Sequence, residues 1–79
     1  MAKLLAENSI QKNIVAERCI KGGVVYTVEF NTQTKWTEFS VFKKSTVYDV
    51  GAIFCENEKV AGDFFDNWKK SGFKSLNLG

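Results

Sequence analysis

The sequence predicts an α+β fold: a small antiparallel β-meander of four to five strands with one C-terminal α-helix packed on one face of the sheet. Three observations support this. The chain has 79 residues, 44% apolar and 25% charged, so residues 1–79 are read as a single α+β domain. Between Ile10 and about Phe54 the residues are β-branched and aromatic, with stretches of period two. Beyond Asn57 the apolar period becomes that of a helix.

The strand region is broken at Gly22-Gly23, at Asn31-Thr32-Gln33-Thr34 and at Lys43-Lys44-Ser45. If Gly22-Gly23 form a two-residue hairpin loop of the primed type, Lys21 pairs with Val24, Cys19 with Tyr26, Glu17 with Val28 and Val15 with Phe30. One face then collects Val15, Cys19, Val24, Tyr26, Val28 and Phe30, a core face with Glu17 as its misfit. The opposite face collects Ile14, Ala16, Arg18, Ile20, Val25, Thr27 and Glu29, with Arg18 diagonal to Glu29. A loop of two or four residues in the Asn31 to Thr34 stretch places Phe39 opposite Tyr26 and Val41 opposite Val24, and leaves Trp36 and Phe42 on the second face. A three-residue loop swaps these sets and sets Trp36 opposite Phe30.

From Glu58 to Ser71 the apolar residues Val60, Ala61, Phe64, Phe65 and Trp68 form one helical face. Asn57 is a suitable N-cap, acids lie toward the front, Lys69 and Lys70 close the last turn, and Gly72 supplies the left-handed position beyond it. Gly62 within the helix costs about 1 kcal/mol relative to alanine, and close approach of helix to sheet is its expected purpose. The tail from Phe73 to Leu78 can return as a short last strand.

Composition excludes more than it assigns. There is no histidine, which removes the commonest general base and metal ligand together. Cys19 and Cys55 lie far apart with no CxxC pattern, so neither a zinc knuckle nor a redox pair is encoded, and two reduced thiols are expected. Of the acids Asp49, Glu56, Glu58, Asp63 and Asp66, which cluster in sequence, those on the helix are read as a solvated first turn rather than a catalytic pair. Gly22-Gly23 matches no phosphate loop, and no DxDxDG cation loop is present. No enzyme activity, metal or cofactor is therefore expected. The longest apolar run, Ala52-Ile53-Phe54-Cys55, is far short of the roughly 20 residues of a membrane span, and no signal-peptide core develops at the start, so a cytoplasmic protein is expected.

There are seven Phe, two Trp and two Tyr, and one helix covers only one face of a sheet. The second face carries Ile14, Ile20, Val25, Trp36 and Phe42 among polar neighbours. Either residues near Leu4 and Leu5 fold over it, or it engages a partner. The expected function is a non-catalytic protein-binding module of the small inhibitor or modulator kind carried by phages and mobile elements, docking onto a larger host complex. Trp36 is its central residue, Phe42 and Val25 its neighbours, and Arg18 and Lys35 its rim. Homodimerisation through this face or an edge strand would serve it too. The competing reading is a single-stranded nucleic-acid binder, using sheet aromatics with Lys35, Lys43 and Lys44. A net charge of only +2 and the interspersed Glu29, Glu38 and Asp49 argue against it.

Overall fold

The computed structural model describes residues 13–77. Four antiparallel strands follow one another across a single sheet: β1 (Ile14–Lys21), β2 (Val24–Asn31), β3 (Trp36–Lys43) and β4 (Thr46–Phe54), in the order β1-β2-β3-β4. One helix, α1 (Glu58–Lys70), follows. The fold is the α+β meander expected, with four strands.

Local chemistry sets each turn. Gly22 and Gly23 both have positive φ, +60° and +79°, as a two-residue primed hairpin requires. The β1–β2 register follows: Val15 faces Phe30, Glu17 faces Val28, Cys19 faces Tyr26 and Lys21 faces Val24. Between β2 and β3, the Asn31 side-chain oxygen accepts from the amides of Gln33 and Thr34, both at 2.9 Å, and Lys35 at φ +70° returns its N–H to the Asn31 carbonyl at 2.7 Å. Asn31 thereby stays in the strand and the loop runs from Thr32 to Lys35. That displaces the β2–β3 pairing by two residues from the sequence expectation: Phe39 faces Val28 rather than Tyr26, and Val41 faces Tyr26 rather than Val24. A slip of two preserves parity, so every side chain keeps the face expected for an even loop. Between β3 and β4, Lys44 and Ser45 make another two-residue turn, with φ of +50° and +64° on residues that carry a Cβ.

A bulge interrupts β4. Ser40 pairs with Asp49 but Phe39 pairs with Gly51, so Val50 is supernumerary. Beyond it Ile53 faces Thr37 and Phe54 faces Trp36. An uninterrupted ladder would have set Ile53 opposite Trp36, on the other side of the sheet. The extra residue instead turns Ile53 and Cys55 into the core and Phe54 out of it.

The core lies between α1 and the face bearing Val28, Phe30, Phe39 and Cys55, against which the helix buries Ala61, Phe65 and Trp68. Trp68 is the centre of a ring cluster, edge-on to Tyr26 at 5.5 Å, to Phe39 at 6.0 Å and to Phe73 at 5.1 Å. The helix starts on the Asn57 side chain, which accepts from the Val60 amide at 3.0 Å. It ends at Ser71, after which Gly72 and Phe73 take positive φ. That reversal stacks the Phe73 ring on Tyr26, 3.7 Å between centroids and 6° from parallel. Phe73 to Asn77 therefore form no fifth strand; Phe73 and Leu76 pack on the helix side of the sheet instead.

Two sequence expectations change here. A Cβ placed on Gly62 would meet nothing within 4 Å, so this glycine is not there for close helix–sheet approach. It borders an open cleft between the start of α1 and Val15, Glu17, Val28 and Phe30. Glu17 ceases to be a misfit for the same reason: the helix lies over β2, leaving Glu17 and Val15 of β1 at the margin of the helix side, in contact with water. Both cysteines are free thiols, Cys55 buried and Cys19 half-buried. No helix among the described residues is long and apolar enough to cross a membrane.

Candidate functional site

Helix and tail share one face, and among the described residues nothing packs on the other. Its side chains form four rows across the strands, set by the pairing. The first row is Ile14, Asn31, Trp36 and Phe54; the second Ala16, Glu29, Glu38 and Ala52; the third Arg18, Thr27, Ser40 and Asp49; the fourth Ile20, Val25, Phe42 and Val47. Rows two residues apart along a strand are about 6.7 Å apart, so the outer rows stand about 20 Å from one another. The outer rows are largely apolar and the inner ones small, polar or acidic.

Most of the apolar side chains in these rows are exposed, with Ile14 and Val25 half-buried. Trp36 is 52% accessible, Phe54 55%, Phe42 44%, Val47 63% and Ile20 71%. Trp36 and Phe54 meet edge to face at 6.3 Å, which orients both rings without covering either. Between the fourth row and the acidic second row lies a basin of about 510 Å³. Val25, Phe42 and Val47 form one wall, Thr27 and Ser40 the floor, and Glu29 and Glu38 the far rim, with Arg18 and Asp49 at the two ends.

Electrostatics distinguish this face from the rest of the molecule. Glu29 and Glu38 are direct partners across β2 and β3. Burial, and secondly the neighbouring Glu38 carboxylate, raise the Glu29 pKa above its ordinary value. Arg18 holds the diagonal position expected of it, one row from Glu29. Among the described strand positions of this face Arg18 is set against Glu29, Glu38 and Asp49, a balance of −2 on a chain whose net charge is +2.

Of the residues singled out from sequence, Val25, Phe42 and Arg18 come together in the basin. Trp36 does not join them, since it stands in the first row at the opposite end of β3. Lys35 leaves the open face altogether: its ammonium lies 5.9 Å from the centre of the Phe30 ring, which is in the core. Sequence reasoning missed Phe54, Val47 and the direct opposition of Glu29 and Glu38. Carrying the register through the Lys44-Ser45 turn would have found Val47, and placing the four-residue loop at Thr32–Lys35 rather than within Asn31–Thr34 would have found the acid pair. Phe54 had no such signal, because the bulge decides its face. The expected cover from Leu4 and Leu5 lies outside the described residues. Among the described residues no three His, Cys, Asp or Glu side chains converge as metal ligands would.

Compared with protein-family models, curated proteins and solved structures, the chain matches none of them.

Proposed function

We propose that this chain is a non-catalytic protein-binding module that docks its open sheet face onto a larger protein. The observation that carries the proposal is the pair of apolar rows, Trp36 with Phe54 and Phe42 with Val47 beside half-buried Val25, the second of them walling a polar basin, on a face that neither α1 nor the tail touches. Exposed aromatic rows of this extent are typical of interaction surfaces, and Trp is enriched among residues that dominate binding energy. At this size the module fits a cytoplasmic inhibitor or accessory subunit of the phage or mobile-element kind, acting by occupying a surface of a host complex.

The same face weighs against the nucleic-acid reading. Phosphate contacts need clustered cations, whereas Glu29, Glu38 and Asp49 lie between the exposed rings. It weighs equally against a homodimer built face to face, which would bring two surfaces of −2 together.

The test is paired substitution with a fold control. Trp36→Ala and Phe42→Ala should leave the circular dichroism and the cooperative unfolding transition in place, since both side chains are substantially exposed. Each should abolish co-purification of a partner that wild-type chain retains from its native host. Unchanged co-purification by both variants would remove the face from the interface.

A further inference from the structure

The basin bordered by Phe42 and the Glu29–Glu38 pair has a composition that specifies an occupant. We infer that it receives an arginine side chain of the protein partner, flanked by apolar residues that settle on the two exposed rows. This rests on the docking reading above and names the chemistry of what docks.

Charge complementarity is the first argument. The described strand positions of the face carry three carboxylates and one cation on a chain that is positive overall, so their excess of −2 is local to the surface that would be covered. Covering it with an apolar or acidic partner would bury unbalanced carboxylates, at a large desolvation cost. A second copy of this chain docked face to face brings the same excess and fails for the same reason.

Shape is the second. One wall of the basin is apolar, made by Val25, Phe42 and Val47, and the opposite rim is the directly opposed Glu29 and Glu38. A long cationic side chain meets both demands at once: its aliphatic stem lies along the apolar wall while its head reaches the carboxylates. Alanine at both ends of the acidic row, Ala16 and Ala52, and Thr27 and Ser40 on the floor keep the approach unobstructed. At about 510 Å³ the basin has the size of an ordinary ligand site.

Arginine suits it better than lysine. A planar guanidinium donates to two carboxylates at once, is less strongly hydrated than an ammonium, and stacks on an aromatic ring such as Phe42. Two opposed carboxylates repel each other in the free protein, and a guanidinium between them removes that repulsion on binding. The raised Glu29 pKa has the same origin in part, with Arg18, Glu38 and Asp49 as the charged groups that face it from β1, β3 and β4.

The experiment is a selection of random 12-residue peptides against the full chain, followed by affinity measurements on synthetic copies. Enriched peptides should carry arginine next to apolar residues. Replacing that arginine with citrulline, its neutral isostere, should weaken binding about tenfold or more, as should Glu29→Gln/Glu38→Gln in the protein. The double variant is expected to fold, because it removes the repulsion between two directly opposed carboxylates and keeps the size of both side chains. Binders that depend on Trp36 or Phe42 but contain no arginine, accept lysine or citrulline without loss, or ignore Glu29→Gln/Glu38→Gln overturn the arginine assignment and leave the docking face standing. Failure to enrich any peptide, or binders indifferent to Trp36→Ala, Phe42→Ala and the acid variants alike, overturns both.

Discussion

Trp36 at the start of β3 and Phe54 at the end of β4 meet edge to face at 6.3 Å on the open side of the sheet, and they do so because Val50 bulges out of β4 between them and the hairpin turn. Strand residues alternate sides, so one supernumerary residue reverses the face of everything beyond it. Phe54 is thereby turned toward Trp36 and Cys55 is turned inward, where it is only 1% exposed.

Deleting Val50 should regularise the ladder while leaving the pairs on either side of it intact. The expected outcome is a folded protein whose stability lies within about 1 kcal/mol of wild type, on the scale of a small surface-strand change. Cys55 should remain unreactive toward a thiol reagent under native conditions, while half-buried Cys19 reacts faster. Rapid labelling of Cys55 in the deletion variant would show that the bulge residue is misassigned.

Glu29 should impose a pH dependence of definite sign. Its folded-state pKa is raised by burial and by Glu38, so between the unfolded carboxylate value and the raised one the folded protein binds more protons than the unfolded chain. Its contribution to stability therefore falls as pH rises through that window and is level above it. Glu29→Gln should remove this fall and raise stability near neutral pH by about 0.2–1 kcal/mol, the scale of a directly opposed like-charge pair. Urea unfolding at a series of pH values measures it; an unchanged pH slope in the variant would rule out Glu29 as the source.

Thr37 is a core position occupied by a polar residue. It is fully buried between Phe30 and Ile53, and its hydroxyl has no hydrogen-bond partner among the described residues. Thr37→Val replaces that hydroxyl with a methyl of similar size and should stabilise the protein by about 1–3 kcal/mol, the cost of an unsatisfied buried polar group. A loss of stability in thermal or urea unfolding would mean that the hydroxyl is satisfied in solution.

Glycine is present at one position that does not need it and absent from several with positive φ, Ser45 among them. Gly62→Ala, with open space around the new Cβ and a helical backbone, should add about 1 kcal/mol. Ser45→Gly should add about 1–2 kcal/mol by relieving a left-handed conformation at φ +64°. Denaturant midpoints test both, and a decrease at either position would contradict the local geometry described for it.

The faces of β1 and β2 were legible in the sequence, because they depend only on parity and on the Gly22-Gly23 turn, whereas those of β3 and β4 waited on the β2–β3 loop, for which the sequence left even and odd lengths open. Gly22-Gly23 sets the first hairpin, and an even loop after Asn31 puts Trp36, Glu38 and Phe42 on one side whether or not the register is read to the residue. The helix was equally legible from Asn57, its apolar face and Gly72. The composition of the site was read less well. Trp36 and Phe42 share a face but stand at opposite ends of it, and Lys35, adjacent in sequence to Trp36, turns to the core side because its positive φ takes it off the strand.

What the sequence determined by itself is the set of local preferences: period-two strands, a glycine turn, a capped helix, and the absence of histidine. These follow from backbone sterics and side-chain chemistry acting within a few residues. What only the tertiary structure decided is which side chains share a surface. The extra residue in β4 and the stacking of Phe73 on Tyr26 each depend on contacts between segments far apart in the chain, and the β2–β3 loop, closed locally by Asn31, brings its strands into a register that only their pairing completes. Those contacts created the acid pair of Glu29 and Glu38 and the ring pair of Trp36 and Phe54, neither of which is local in sequence, because pairing energy is gained only when distant strands come into register.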